Sequence, residues 1–350
     1  MHSELRWRRL KGIGWIPASI LATIAAALLG VMVGPAGPVW WRIPLALLDH
    51  LPGISIDSGV DDREWSLIWN IRMPRVVLAG IVGAMLATAG AGYQGVFRNP
   101  MVDPYLLGAA AGAGLGATLM IAVWGDVGDG WIVDPVPLVA FLFALGTVAV
   151  TYFVGASFGG AGSTSTLVLA GVAVVSFTTA VQTFVLQRNS EVVREVYTWI
   201  LGRLTTTSWD DVVLVTPYVA VSCLVLFLHS RHLDVLRVGD DEAATLGANV
   251  TRIRLTVVIA ATLGTAAVVS VSGLIGFVGL IVPHIVRLLA GASYRRVLPL
   301  SMMFGAAFLI LADIPSRTLT APAELPIGVV TAFCGAPFFV YLLRTRQVSR

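Results

Sequence analysis

Apolar residues in this chain come in long runs, separated by short stretches that are charged or rich in glycine and proline. Ten runs can be delimited, at 15–33, 73–96, 105–124, 136–154, 167–186, 212–228, 253–271, 275–290, 297–311 and 327–343. A bilayer core about 30 Å thick takes roughly 20 apolar residues as one helix. The pattern therefore predicts an all-α membrane protein with about ten transmembrane helices, the eighth and ninth runs being short for a full crossing. They form one transmembrane domain over 15–345, after a polar segment 1–14 and before a tail 346–350. The first run follows Arg6, Arg8, Arg9 and Lys11, as a signal peptide would. Its 19 residues exceed the usual apolar stretch of about 7 to 15 and no A-x-A site follows, so it is expected to stay as an uncleaved span.

Composition sharpens this picture. Of 350 residues 57% are hydrophobic and 12% charged, with a mean hydropathy of +0.84, whereas soluble domains carry about 25% charged residues. Charge then gives direction. If both termini are cytoplasmic, 15 of the 23 basic residues and 6 of the 20 acids fall inside; 8 basic and 14 acidic residues fall outside. That distribution obeys the positive-inside rule and the reverse orientation breaks it.

Several chemistries are missing. Cys223 and Cys334 sit inside apolar runs with no C-x-x-C spacing, the five histidines are scattered, and no H-E-x-x-H occurs, so no catalytic or metal centre is expected. Lys11 is the only lysine, and a phosphate-binding G-x-x-x-x-G-K-[ST] loop is therefore impossible. If ATP drives this protein, another subunit binds it. The 36 glycines, including the run from Gly108 to Gly116, are read as helix-packing residues, because lipid gives no hydrophobic drive between helices and close approach needs small side chains.

Four polar features stand out. The stretch 236–247 reads as a short helix. Gly239 breaks the chain, Asp240, Asp241 and Glu242 occupy the first turn where the helix dipole favours acids, and Gly247 suits the C-terminal cap. It is either a rigid knob for a partner or a solvated loop. Arg98-Asn99-Pro100-Met101-Val102-Asp103-Pro104 is a turn whose backbone two prolines fix. Arg72 and Arg75 at the head of span two, and Arg317 beyond span nine, face the acidic side, for docking of a partner's carboxylates or for local pairing with Asp313 or Glu324. Arg287, after Pro283 and His284, is placed near the inner end, where it can reach the headgroups.

With these residues in hand, the chain resembles the FecCD family, the permeases of type II ABC importers for iron-siderophores, haem and cobalamin. The resemblance runs nearly end to end through RMPR (72–75), QGVFRNPMVDPYLLG (94–108), GLIGFVGLIVPHIVR (273–287), LADIPSR (311–317) and ELPIGVVTAFCGAPF (324–338). It implies the type II permease fold, with both termini cytoplasmic, in a bacterial inner membrane. It also implies a second permease subunit, expected as a homodimer, two cytoplasmic ATPase subunits carrying ATP and Mg, and an external substrate-binding protein. No cofactor on this chain and no nucleic acid is implied.

The resemblance makes 232–250 the coupling helices, with Gly239, Asp240, Asp241, Glu242, Ala243, Ala244, Leu246 and Gly247 meeting the ATPase. It turns Arg72, Arg75 and Arg317 toward binding-protein docking, and assigns a cytoplasmic gate to Asn99 with Ser163, Thr164 and Ser165. Ser157 to Gly162 departs from the family, where basic residues are common, which bears on gate geometry. Among cargoes a ferric siderophore is placed first, haem second and cobalamin third. The alternative is a secondary transporter driven by an ion gradient, which would want an acid in mid-span. No predicted span has one. A membrane-embedded enzyme would need clustered histidines or carboxylates within spans, and these are also missing.

Overall fold

The computed structural model describes residues 2–34, 40–50, 56–124, 134–159, 164–205 and 207–347. Among these, fifteen α-helices follow one another: α1 (His2–Met32), α2 (Arg42–Asp49), α3 (Asp62–Leu67), α4 (Met73–Val96), α5 (Ala109–Trp124), α6 (Val136–Gly159), α7 (Thr164–Arg188), α8 (Val193–Ile200), α9 (Trp209–Leu228), α10 (Ser230–Leu236), α11 (Asp240–Thr245), α12 (Val250–Ser272), α13 (Val278–Ala290), α14 (Tyr294–Thr318) and α15 (Ile327–Gln347). Seven apolar helices are long enough to cross a bilayer, and three shorter ones lie in α5, α13 and α15. Together they occupy the ten predicted runs.

Boundaries differ where local chemistry overrides hydropathy. Span two does not begin at Met73: a π turn, Ile68–Arg72, joins α3 to α4 in one helical stretch from Asp62 to Val96. Pro74 lacks the N–H that would bond the preceding turn, and the turn before it is widened, Met73 N–H donating five residues back to Ile68 O. Span three begins late, at Ala109. Pro104 and Gly108, at φ 92°, hold a turn closed by Leu106 N–H to Asp103 O at 3.0 Å and Gly108 N–H to Tyr105 O at 2.9 Å. Span eight begins at Val278 after a break in which Gly273 and Phe277 adopt φ 68° and 70°. The freed groups are satisfied there. Tyr105 Oη donates to Ile275 O at 3.1 Å and accepts from Ile275 N–H at 3.2 Å, and Arg203 N–H donates to Ser272 O at 2.9 Å. Span nine is longer than predicted: α14 runs on to Thr318, so Asp313 and Arg317 lie inside the helix and Arg317 is not beyond it.

Helix α4 is the hub, packed against α9, α12, α13 and α14. Within 62–96, 83% of the apolar stretch is buried inside the chain, against 17% for α7. Close approach rests on glycine. A Cβ on Gly83 would strike the carbonyl oxygen of Gly305 in α14, and one on Gly90 that of Gly279 in α13. Buried Ala79, Ala87, Ala89 and Ala91 continue the small-residue surface. Such packing replaces the hydrophobic drive that lipid cannot supply.

Connections sort to two ends. Arg98 meets Asp240 at 3.3 Å and Tyr294 N–H donates to Asp234 at 2.7 Å, which gathers 97–108, α10, α11 and 291–293 at one end. At the other, Trp209 Nε1 donates to Trp69 O at 2.9 Å and Arg75 meets Glu324 at 2.9 Å. These are the groups of connections that charge counting assigns to the inner and outer sides, and they are called the inner and outer ends below.

Candidate functional sites at the two ends of the bundle

At the inner end α10 and α11 form an elbow around Gly239, whose φ of 130° favours glycine. The short helix predicted in 236–247, opening on the acids after the break at Gly239, is α11; α10 precedes it and ends at Leu236, on the other side of that turn. Apolar anchors hold the elbow: Leu233, Leu236 and Ala243 are buried. Polar clamps add to them. Asp240 lies 3.1 Å from the fully buried Arg254 and 3.3 Å from Arg98, while Asp234 accepts from Ser293 Oγ and Tyr294 N–H, both at 2.7 Å. Of the predicted coupling residues, Gly239 and Ala243 therefore face inward and Asp240 is held by two arginines. Asp241, Glu242, Ala244, Leu246 and Gly247 face outward, Gly247 at φ 83°. Leu246 is 70% exposed and Val238 58%, two apolar side chains on an otherwise polar surface.

Next to the elbow, Gln94 Nε2 donates to Gly279 O at 3.0 Å and Val102 O at 3.3 Å, and its Oε1 accepts from Arg287. This link between α4, the 97–108 loop and α13 was not legible from residue types. Asp103 in that loop accepts from Tyr105 N–H at 2.8 Å, which lowers its pKa, but burial dominates and pushes the carboxyl up to about 6. The unfolded value is 3.8, so the folded chain binds a proton that the unfolded chain has lost between these values. Its stabilising contribution is complete below the lower value and is lost as pH rises through about 6. Asp103→Asn should accordingly be more stable than wild type at neutral pH, with the gap in thermal midpoint closing as pH is lowered toward the unfolded value. A gap independent of pH would refute this.

Of the gate residues, Asn99, Thr164 and Ser165 lie within the described residues. Asn99 is exposed, and its Oδ1 accepts from Met101 N–H at 2.9 Å within its own turn. Thr164 and Ser165 open α7, Ser165 being exposed, and Ser163 lies outside the described residues. Among the described residues no hydrogen bond joins Asn99 to Ser165.

At the outer end the three arginines converge and are buried, with Arg72 7%, Arg75 6% and Arg317 3% exposed. Arg75 Nε and Nη2 reach the Asp313 carboxylate at 2.8 to 3.1 Å, and its Nη1 reaches Glu324 at 2.9 Å. Arg317 Nε lies 3.4 Å from Asp313, and its Nη2 donates to Gly30 O. Arg72 Nη1 donates to Val31 O at 3.0 Å. Local pairing, one of the two sequence readings, is thus what occupies Arg75 and Arg317 in the single chain. Of the two carboxylates that Arg75 and Arg317 meet, Asp313 is 1% and Glu324 26% exposed at the side chain.

Helix α7 was read only as a span, yet its exposed face carries Ser165, Ser176, Thr179, Thr183 and Gln187, which recur at helical spacing along one side. Ser176 and Thr183 donate to their own backbone, to Val172 O at 2.8 Å and Thr179 O at 2.9 Å. Beside the α12–α13 break, an apolar cavity of about 570 Å³ is lined by Ile200, Leu201, Leu274, Phe277, Val329 and Phe333.

Among the described residues the structure is a helical bundle with ten apolar helices, two structured polar ends and a half-polar face on α7, the architecture of a multi-pass membrane protein. The chain belongs to the FecCD transport family, whose profile matches residues 21–345. It is 36% identical to the cobalamin import system permease protein of Halobacterium salinarum, covering 98% of this chain and 99% of that protein. It is 35% identical to the hemin transport system permease protein of Yersinia pestis, over 84% of this chain and 88% of the relative. Among solved structures it superposes with a TM-score of 0.79 and 28% identity on a chain described as a metal-chelate type ABC transporter in an inward-facing conformation, covering 94% of this chain and 98% of that one. ABC importers of this family work with ATPase and substrate-binding partners. Nothing found supports the secondary-transporter alternative.

Proposed function

We propose that this chain is the membrane-spanning permease of an ATP-driven importer for a metal chelate, working as a homodimer in a bacterial inner membrane, with both termini cytoplasmic. A ferric siderophore is placed first among the cargoes, haem second and cobalamin third. The observation that carries the proposal is the inner elbow, a rigid pair of short helices clamped to the bundle and presenting Leu246. Two ATPase subunits would hold ATP and Mg and hydrolyse the nucleotide; this chain carries no ATPase site of its own and no cofactor. Their closure would push Asp241, Glu242, Ala244, Leu246 and Gly247, and Asp240 with Arg254 would pass the displacement to α12. Alternating access follows from rearrangement around the face of α7, whose self-satisfied hydroxyls offer a wet but weakly binding wall to a cargo that must leave.

The gate is assigned to Asn99, Ser163, Thr164 and Ser165 meeting their counterparts in the second copy. Docking of the binding protein is assigned to Arg72, Arg75 and Arg317, with a partner carboxylate replacing Glu324, the more accessible acid of the cluster. Glu324→Gln should then raise affinity for the binding protein several-fold. Unchanged affinity would remove these arginines from docking.

Leu246→Arg should leave the thermal midpoint of the chain alone, because the side chain is solvent-exposed, while cutting uptake about tenfold or more if Leu246 is an interface anchor. Retained uptake in that variant would put the contact elsewhere. The reading as a whole is tested by uptake into proteoliposomes containing this chain and its ATPase, with labelled ferric siderophore, haem and cobalamin offered on their binding proteins. ATP-dependent accumulation of one chelate is expected; accumulation driven by an ion gradient without ATP would overturn the proposal.

A further inference from the structure

Between the end of α4, α10 and the α13–α14 corner lies a cavity of about 380 Å³, walled by Arg98, Arg237, Arg287, His284 and Tyr294, with Leu288 at its rim. Among the described residues no acidic side chain lines it. Two of the arginines have carboxylates behind them: Arg98 meets Asp240 at 3.3 Å, and Arg237 reaches Asp234 only at 3.9 Å. Arg287 differs. Its Nη2 donates to a neutral amide, Gln94 Oε1, its guanidinium lies 5.9 Å from the Tyr294 ring centroid and hydrogen-bonds that side chain, and among the described residues no carboxylate pairs with it. A guanidinium whose partners are a neutral amide and a phenol keeps its charge available to an anion.

We infer that this cavity is an anion site that takes the phosphate of an anionic phospholipid at the inner membrane surface. Arginine forks match phosphate oxygens in geometry as well as charge, and basic pockets between transmembrane helices on the cytoplasmic side suit such headgroups. The rim decides between a lipid and a soluble anion. Leu288 is 70% exposed, and Ile285 and Leu289 are exposed on the same short helix at 37% and 42%. This apolar strip leads from the bilayer up to the arginines, so acyl chains can lie along α13 while the phosphate enters the cavity. Arg98 also holds Asp240 of the coupling elbow, so a bound phosphate would share a guanidinium with the element that receives the ATPase stroke. The inference needs the bundle to be membrane-embedded; it does not depend on the cargo.

The test is native mass spectrometry of the full chain in detergent, titrated with phosphatidylglycerol or with phosphatidylcholine of the same acyl chains. Wild type should retain phosphatidylglycerol at about tenfold lower concentration, as one charge-assisted hydrogen bond would give. Arg287→Lys and Arg237→Gln should each remove most of that preference and leave phosphatidylcholine retention unchanged. Arg237 is 47% exposed at the side chain, so its variant tests the site even if Arg287→Lys misfolds. Equal retention of the two lipids, or an unaltered preference in Arg237→Gln, would overturn the inference. Competition by inorganic phosphate as strong as by the lipid would reassign the cavity to a soluble anion. Loss of the preference on adding the ATPase subunit would make it a protein contact.

Discussion

Asp313→Ala should lower the thermal midpoint of the detergent-solubilised chain more than any other truncation at the outer end. Asp313 is 1% exposed and receives Arg75 through Nε and Nη2, with Arg317 Nε at 3.4 Å on its other oxygen. Removing it leaves two buried guanidiniums facing each other with only Glu324 nearby, and breaking a buried pair from one side costs about 3–5 kcal/mol. Glu324→Ala, by contrast, removes a partner with a 26% exposed side chain, and Asp313 remains. Its cost should be nearer the 0–1 kcal/mol of a surface pair. The order of the two variants is the discriminating result: equal losses would show that Asp313 is not the organising charge of the cluster. Since Arg75 belongs to α4 and Asp313 to α14, the cluster locks the outer ends of these helices together. It therefore also prepares the surface assigned to docking.

The second large effect concerns the crossing of the same two helices. Gly83→Ala places a methyl group against the Gly305 carbonyl and 2.7 Å from Leu309 Cβ, and neither the backbone nor a packed Cβ can give way. Helices α4 and α14 must separate, and overpacking of this kind costs about 1–3 kcal/mol or more. The consequence should exceed the local loss. Arg75 and Asp313 stand at the outer ends of these helices, and Gln94 and Tyr294 at the inner ends, so one displaced crossing disturbs both. Uptake in proteoliposomes should fall steeply along with the thermal midpoint. Gly146→Ala is the control, because nothing lies within 4 Å of a Cβ there; it should gain about 0.5–1 kcal/mol from helix propensity alone. Similar behaviour of the two variants would refute the crossing argument.

Much of this protein could be read from the chain alone. An apolar run reports the solvent that a segment will meet, and that is a local property. Ten runs therefore gave ten helices, and the alternation of their connections agreed with the charge count. The inner elbow was also local, because Gly239 and the acids that follow it specify their own break and start. Amphipathic α8 and the short α2 and α3 escaped notice, since hydropathy runs do not mark helices that lie outside the spans.

What tertiary structure alone decided was pairing. Arg75 and Asp313 stand 238 positions apart, and Gln94 and Gly279 stand 185 apart. Residue type showed that the arginines want carboxylates, but not whether those carboxylates belong to this chain or to a partner. Gly83 could equally have met lipid, a ligand or another helix. Its role was fixed only when Gly305 arrived opposite it. Sequence determines which groups must be satisfied or buried; which group satisfies which depends on where distant helices cross, because a helix surface can be packed by several neighbours at similar local cost and only the assembled bundle selects one.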